Sequence, residues 1–352
     1  MPRSLSPSFV ETAVERRSFG RLPDGTDVDL FTLAAGGLTV AVATYGALVH
    51  QLWAPGRDGP TNLVLGYGCL DDYVADEHSY LGAIVGRYAN RIANARFELD
   101  GVAHRLSANE DANCLHGGMA GFDKRVWHVV RTRTARDVVA ITLRYESADG
   151  EEGFPGTLAV TVTYTVGPGT GLRVDYHAVT DRPTVVNLTS HVYWQLGGEG
   201  AGRVDDHVLT VGASHYLPVS LEMIPTGEVA PVAGTPLDFT QPATIGARIA
   251  EPFEQLVRAE GYDHHFVLDG GCPAARLEHP ASGRVLEIET TEPGIQVYSG
   301  NHLDGPYGRR GGMALEPQHC PDSPNRPSFP STVLRPGSVF SSTTTYRLAQ
   351  RQ

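Results

Sequence analysis

Lysine is almost absent from this chain: Lys124 is the only lysine among 352 residues, and the formal charge at pH 7 is 28 − 40 = −12. Nucleic acids and anionic membranes are bound through clustered lysine and arginine, so this charge argues against both as partners. Schiff-base or pyridoxal chemistry would have only Lys124 as nucleophile. A lysine close to a tryptophan, as in GFDKRVWHV, is more often a surface group, so we set lysine chemistry aside. The sequence favours a neutral or cationic small molecule as ligand.

Paired cysteines and long apolar runs are lacking as well. The cysteines are widely spaced with no C-x-x-C pair, and they are Cys69, Cys114, Cys272 and Cys320. This pattern does not make a disulfide framework and favours a reducing compartment. The N-terminus has no apolar run of the signal-peptide kind, and no stretch approaches the roughly 20 apolar residues of a transmembrane helix. We predict a cytoplasmic protein with free thiols.

Signatures of cofactor and metal binding are missing too. The chain has no G-x-G-x-x-G after a strand, no P-loop and no G-x-S-x-G. Its 14 histidines show no H-x-H, H-x-x-x-H or H-E-x-x-H spacing. The adjacent pair His264 and His265 would point to opposite faces of a strand. Cofactor-free acid–base chemistry and plain binding remain as alternatives.

Alternation of apolar and polar residues with a period of two recurs along the chain. It is found in VVAITLRYE, AVTVTYTV, GLRVDYHAVT and RVLEIETT, and the chain contains 40 glycines and 24 prolines. Half-buried antiparallel strands joined by close turns have this pattern. We predict an all-β fold, one large antiparallel β-sandwich over residues 16–352, with a flexible N-terminal extension at 1–15. Short helices are predicted in LDDYVAD and in TIGARIAEPFEQLVRAEG, the second interrupted by Pro252.

Several polar side chains lie beside glycines or inside apolar stretches, and each has two explanations. Arg87 and Arg91 in IVGRYANRIA are either paired structural groups, which we prefer, or groups aimed into a cleft. His191 in NLTSHVYWQL is either a satisfied core histidine or an acid–base group. Glu316 in ALEPQHC is either a surface carboxylate or a general base. Together these residue types would suit a sugar, whose hydroxyls need several polar partners and whose C–H face packs on aromatic rings.

Seven segments, taken in order, resemble the aldose 1-epimerases, or galactose mutarotases. They are GRYANRI, NCLHGG, GFDKRVW, NLTSHVYWQLGGEG, GYDHHFVL, EPGIQVYSGNHLDG and LEPQHCPDSPNRPSFP. They extend from about residue 30 to the C-terminus. The resemblance implies a galactose mutarotase-like supersandwich with a sugar cleft on one face, no cofactor and no metal. It implies a free aldose such as galactose or glucose as substrate. We expect a monomer or a homodimer.

The resemblance also assigns roles to individual residues. Glu316 would be the general base and His191 the general acid, with His116 assisting at the ring oxygen. The residues implied to hold sugar hydroxyls are Asn90, Arg91, Asp263 and Gln296. Because an acid must keep its proton near pH 7, we expect Glu316 or Asp263 to lie close enough to His191 to keep the imidazole charged.

The chain departs from the family pattern at three positions. Ser190 and Gln195 stand where the family usually has asparagine, and Pro317 stands where it usually has threonine. We expect Pro317 to begin a turn that holds Glu316 in one geometry. We also expect Cys320, four residues after Glu316, to lie near the cleft.

Three alternative functions stay open. A non-catalytic sugar-binding module would not need both Glu316 and His191. A glycoside-cleaving enzyme would need two carboxylates that flank the bond, and Asp263 is the only second candidate. An epimerase acting on a hexose phosphate would need added cationic anchors, of which Arg91 is the only clear one.

Overall fold

The computed structural model describes residues 12–57, 59–169 and 171–351. Within these ranges the chain is built mostly of strands and loops. The strands are β1 (Ala13–Arg21), β2 (Asp27–Ala35), β3 (Leu38–Ala43), β4 (Val49–Ala54), β5 (Thr61–Asn62), β6 (Ile84–Val85), β7 (Arg91–Ile92), β8 (Arg96–Leu99), β9 (Val102–Arg105), β10 (Cys114–Leu115), β11 (His128–Thr134), β12 (Val139–Ser147), β13 (Leu158–Gly167), β14 (Gly171–Thr180), β15 (Thr184–Val185), β16 (Thr189–Ser190), β17 (Tyr193–Trp194), β18 (Val208–Val211), β19 (His215–Leu217), β20 (Ala230–Pro231), β21 (Ala243–Thr244), β22 (Asp263–Val267), β23 (Ala275–His279), β24 (Arg284–Thr290), β25 (Gly294–Tyr298), β26 (Met313–Gln318), β27 (Val333–Leu334) and β28 (Phe340–Gln350).

The α-helices of the described chain are few and short. They are α1 (Leu70–Ala75), α2 (Ile245–Arg248) and α3 (Glu254–Arg258). All three lie within the two predicted helical segments. A gap at Pro252 separates α2 from α3, because proline inside a helix removes a hydrogen-bond donor and clashes with the preceding turn. None of the helices in the described ranges is long and apolar enough to cross a membrane.

Three antiparallel sheets carry most of the strands. The largest has nine strands in the order β11-β12-β13-β14-β28-β24-β23-β18-β21. The second has six strands in the order β17-β26-β25-β22-β19-β20, and the third has five in the order β1-β2-β3-β4-β5. The main hydrophobic cluster draws on all three sheets, so they enclose a common interior. The predicted all-β sandwich with few helices is confirmed.

The alternating sequence pattern explains which face of each strand is buried. In β13 the side chains of Val160, Val162 and Tyr164 are fully buried, whereas the threonines between them are partly exposed. Strand β12 alternates over most of its length in the same way. Burying this one face removes apolar surface from water and fixes the register, since a slip of one residue would turn every apolar side chain outward.

The beginning of the chain differs in part from the prediction. Most of the expected extension, residues 1–15, lies outside the described residues. Residues 13–15, however, belong to β1, where Ala13 pairs with Ala34 and Glu15 pairs with Thr32. This part of the segment is therefore strand. Its few apolar residues concealed it from a pattern search, because edge strands need little burial.

Candidate active site

A cavity of about 380 Å³ opens above one face of the six-stranded sheet. This volume falls within the usual range of small-ligand sites and is large enough for one hexose. Its walls come from strands β22, β25 and β26 and from the loops around β6, β10 and β16. The lining residues are His78, Tyr80, Asn90, Arg91, Asn109, Glu110, Asp111, Leu115, His116, His191, Tyr193, Asp263, Tyr298, His302 and Glu316.

The acidic groups of the cavity floor are positioned by strand register. Glu316 on β26 lies opposite Gln296 on β25, and Asp263 on β22 lies opposite Tyr298 on β25. In β26 the side chains of Met313 and Leu315 enter the hydrophobic core. Because side chains alternate along a strand, Glu316 points to the other face, toward the cavity. The apolar residues that precede Glu316 in the sequence therefore anchor its strand in the core.

Pro317 lies inside β26, so the prediction that it begins a turn is wrong. It pairs with Ile295 of β25, whereas the strand on the other side, β17, pairs only with Met313 and Ala314. At Pro317, β26 therefore has a strand partner on one side only. Proline is tolerated at such a position because no ladder on the open side requires its missing N–H.

Glu316 and His191 form a buried pair. The His191 Nε2 atom lies 3.7 Å from Glu316 Oε2, and their side chains are 5% and 2% exposed. Burial lowers the pKa of His191 to about 4. Burial also raises the pKa of Glu316 well above its usual value, with the Asp263 charge adding to the effect. The expected carboxylate is thus close to His191, but the prediction of a charged imidazole is wrong for the free site. Removing both groups from water costs more than their attraction returns at this distance.

His116 is locked in one tautomer by the loop that carries Asn90. The backbone N–H of Asn90 donates to His116 Nδ1 at 3.1 Å, and the backbone N–H of His116 donates to the Asn90 carbonyl at 3.1 Å. A ring nitrogen that accepts a hydrogen bond carries no proton, so the proton of neutral His116 sits on Nε2. Burial lowers the pKa of His116 well below its usual value. His116 is therefore a neutral hydrogen-bond donor.

The glycine after His116 has a steric reason. Gly117 has φ = +96°, and a Cβ atom there would collide with the Gly86 carbonyl oxygen. Only glycine permits this approach between the two loops. His116 and Asn90 also have left-handed backbone conformations, with φ of 50° and 63°. Such conformations are uncommon outside glycine and cluster at functional sites.

The donor atoms of His116, His191 and Glu316 lie within 4.8 Å of one another, close enough for a metal ion to bridge them. The tautomer of His116 does not fit this role, because its Nε2 carries a proton and its Nδ1 already accepts from Asn90. A second group, Asp206, His207 and His279, has the same difficulty. The Leu196 N–H donates to His207 Nε2 at 3.1 Å, so His207 Nδ1 carries the proton and donates to Asp206 at 3.0 Å.

The two predicted arginines have different environments. Arg87 is 1% exposed, and its guanidinium donates to the carbonyls of Ser147, Pro155 and Gly156, among others. It is structural, as preferred from the sequence. Arg91 faces the cavity, where it binds Glu110 through two hydrogen bonds and lies 3.8 Å from Asp263.

Gln296 is not among the described residues that line the cavity, although it lies opposite Glu316 in the sheet. It is 3% exposed, and its Nε2 donates to Asp263 Oδ1 at 2.7 Å. The other residues implied by the resemblance line the cavity as expected, and Gln296 binds one of them, Asp263. A sequence motif shows that a residue belongs near a site. Whether that residue touches the ligand or supports a neighbour that does so depends on the tertiary structure.

The sequence reasoning missed most of the aromatic wall and two carboxylates, Glu110 and Asp111. The His191 ring lies 4.9 Å from the Tyr193 ring and 5.8 Å from the Tyr80 ring, measured between centroids. Tyr298 stands 6.0 Å from Tyr193. Tyr193 could have been found from the sequence, since it follows His191 by two residues in the same motif. Glu110 carried no signal, because it lies 19 residues from its partner Arg91.

Two departures from the family pattern lie close to the cavity without lining it. Gln195 donates to the carbonyls of Gly202 and Gly311 and accepts from the Gly197 N–H, so its amide ties together loops beside β17. Ser190 is 2% exposed at the end of β16. Ser190 directly precedes His191 in the chain, and nothing in the structure explains the change from asparagine.

The four cysteines are unpaired. Cys320 is buried with Leu217 and Phe329 and is not among the residues that line the cavity, so its expected closeness to the cleft stays a prediction. Burial raises the pKa of Cys114 to about 12 and that of Cys320 to about 11. Cys69 is exposed.

We predict that a thiol reagent labels Cys69 and Cys272 in the native protein and reaches Cys114 and Cys320 only after unfolding. The reason is that the first two are exposed and the last two are buried. Thiol titration before and after denaturation, without reductant, should count two and then four groups. Rapid native labelling of Cys320 that sugar suppresses would contradict this placement.

An all-β sandwich with a buried carboxylate–imidazole pair on a cavity large enough for one hexose fits the class of sugar-converting enzymes. The sequence model of the aldose 1-epimerase family matches residues 29–347. The chain belongs to this family, whose members are isomerases.

Relatives and solved structures resemble the chain over nearly its full length. It is 41% identical to human galactose mutarotase, covering 96% of this chain and 99% of the relative. It is 38% identical to aldose 1-epimerase of Escherichia coli K12, covering 92% and 96%. The crystal structure of galactose 1-epimerase from Lactobacillus acidophilus superposes with a TM-score of 0.88 at 29% identity, covering 97% of this chain and all of the other.

Proposed function

We propose that this protein is an aldose 1-epimerase that interconverts the α and β anomers of free aldohexoses such as galactose and glucose. The observation that carries the proposal is the buried pair of Glu316 and His191, 3.7 Å apart, on a cavity large enough for one hexose. The galactose mutarotases and aldose 1-epimerases among its relatives support the same reaction.

Anomer exchange requires that the hemiacetal ring open and close again on the other face. One group takes the proton of the O1 hydroxyl while another gives a proton to the ring oxygen, and closure reverses both transfers. We assign the O1 proton to Glu316 and the ring-oxygen proton to His191. His116 Nε2–H would assist as a neutral donor at the ring oxygen. A positioned acid or base contributes about 10² to 10⁴ in rate.

The positions of the protons in the free site correspond to the state that Glu316 and His191 would have after ring opening. Ring opening converts ionised Glu316 and charged His191 into protonated Glu316 and neutral His191. The pair holds one proton and has zero net charge in both states. The lowered pKa of His191 and the raised pKa of Glu316 favour the second state for the free pair, and this is the state complementary to an open-chain sugar. Binding of the cyclic sugar, whose hydroxyls replace lost water around the carboxylate, would move the proton toward His191.

The remaining polar groups would hold the hydroxyls of the sugar. Asp263 and Arg91 face the cavity and offer an acceptor and donors. Asn90 lines the same wall. Gln296 would act by fixing Asp263, to which it donates. The rings of the tyrosines around His191 would cover the C–H face of the sugar.

The alternative functions fit the cavity less well. A glycoside-cleaving enzyme needs two carboxylates that flank the bond, but Asp263, the second carboxylate indicated by the sequence, is already bound by Gln296 and faces Arg91. A hexose phosphate needs cationic anchors, but Arg91 is the only lysine or arginine among the described lining residues, and Glu110 binds it. A pure binding module would have no use for a buried acid–base pair.

Polarimetry tests the proposal directly. Freshly dissolved α-D-glucose and α-D-galactose should reach their equilibrium rotation faster with the protein than without it, in proportion to protein concentration. Heat-denatured protein and serum albumin serve as controls for non-specific acceleration. An unchanged rate with both sugars would refute the function.

We predict that extensive dialysis against a chelator leaves the rate of mutarotation unchanged. The reason is that His116 offers no free nitrogen lone pair to a metal. Of the three grouped residues, only His191 and Glu316 could then act as ligands, which is too few to hold an ion. The rate is measured by polarimetry before and after dialysis. A loss that added zinc or manganese restores would overturn the cofactor-free mechanism.

We also propose that the protein works in the cytoplasm as a monomer or a homodimer. The unpaired state of its four cysteines supports a reducing compartment. Size-exclusion chromatography with light scattering would determine the oligomeric state.

A further inference from the structure

We infer that Glu110 is a specificity-determining residue that closes the cavity to anionic sugars by covering the charged edge of Arg91. The inference rests on the proposed function and deepens it, because it names the substrate class as uncharged aldoses. Glu110 would act through Arg91 and not by touching the reacting atoms.

The geometry of the ion pair carries the inference. Arg91 Nε donates to Glu110 Oε2 at 2.6 Å, and Arg91 Nη2 donates to Glu110 Oε1 at 2.7 Å. Nε and Nη2 form one edge of the planar guanidinium, the edge that binds a carboxylate or phosphate through two parallel hydrogen bonds. The remaining nitrogen, Nη1, lies 3.8 Å from Asp263 Oδ2. A phosphate or carboxylate on a sugar would find this edge occupied.

Glu110 is held in place by its own loop. The Asn109 side-chain amide donates to the carbonyls of Leu115 and Gly118 at 3.0 and 3.1 Å, and its oxygen accepts from the Leu115 N–H at 2.8 Å. These bonds tie the loop to β10, which pairs with the strand that carries Arg91. The Glu110 carboxylate is therefore placed beside Arg91 by the fold, with 31% of its side chain exposed against 11% for Arg91.

The charge balance of the wall points the same way. Arg91 is the only lysine or arginine among the described residues that line the cavity, whereas three carboxylates line it besides Glu316, namely Glu110, Asp111 and Asp263. An anionic sugar would meet repulsion without a free cationic partner. Without Glu110, the bidentate edge of Arg91 would face the cavity.

The test is calorimetric binding of galacturonate, galactose 6-phosphate and galactose to the wild type and to Glu110→Gln, with mutarotation followed in parallel. Glu110→Gln should bind both anions at least about 10-fold more tightly, since a charge-assisted bidentate contact is gained, while galactose affinity changes less than about threefold. The gain should shrink at high salt. Glu110→Ser serves as a second variant, and melting curves confirm that each is folded.

Two control variants distinguish the specific contact between Glu110 and Arg91 from a general effect of charge. Asp111→Asn removes the same charge from the same loop and cavity wall, but no hydrogen bond of the described chain joins Asp111 to Arg91. It should not increase affinity for the anions. Arg91→Gln added to Glu110→Gln should abolish the gain, because the cation that the anion would bind is absent.

Three results would overturn the inference while leaving the proposed function intact: no gain in folded Glu110→Gln, an equal gain in Asp111→Asn, or wild-type affinity for galacturonate equal to that for galactose. Failure of the proposed function is distinct, because it would show as wild-type protein that does not accelerate mutarotation.

Discussion

Glu316→Gln is expected to lower the rate of galactose mutarotation at least about 10²-fold while the sugar still binds. The amide keeps the shape of the side chain but cannot accept the O1 proton. Burial of Glu316 at 2% exposure means that no bulk water replaces the lost base. The rate is measured by polarimetry, and galactose affinity by calorimetry on the same preparation.

Glu292→Gln is the matched control for this substitution. Glu292 is also a buried carboxylate at 5% exposure, but it binds His319 and does not line the cavity. Its amide variant should lose stability and keep its rate per folded molecule. A Glu316→Gln variant as active as the wild type would remove Glu316 from the mechanism.

His191→Asn is expected to lower the rate by about 10² to 10⁴ with a modest loss of galactose affinity. It should also change the pH profile. In the wild type, the working pair holds one proton. It gains a second as pH falls toward the pKa of His191, about 4. It loses its only proton as pH rises through the raised pKa of Glu316. The profile is therefore bell-shaped, and its limbs belong to the pair rather than to either residue.

In His191→Asn the alkaline limb should disappear. No acid remains to lose a proton, so the residual rate should rise as Glu316 ionises and then level off. This readout separates catalysis from structure, because a merely structural histidine would lower the melting temperature and leave the profile intact.

His207→Asn provides the comparison. His207 is as buried as His191 but binds Asp206 and the Leu196 N–H, away from the cavity. It should lower the melting temperature and keep both rate and profile. If His191→Asn behaves like His207→Asn, destabilised yet fully active, the assignment of His191 as the acid is wrong.

The sequence by itself determined the class of the fold and the identity of the central residues. The period-two alternation of β12, β13, β14 and β24 was visible because each buries one face, and burial of a strand face is a local property of every second residue. Pro252 likewise marked the break between two helices. The motifs around His116, His191 and Glu316 were recognisable for a similar reason, since each combines a polar group with an unusual local environment.

The tertiary structure alone decided what depends on residues far apart in the chain. Glu110 meets Arg91 only because β7 and β10 pair, and the Gln296 amide reaches Asp263 because β22 pairs with β25. The proton of His116 is placed by the Asn90 N–H from another loop. The charge of His191 could not be read from its neighbours in sequence. It depends on how much water the fold removes from the pair, and desolvation is a property of the whole surrounding shell.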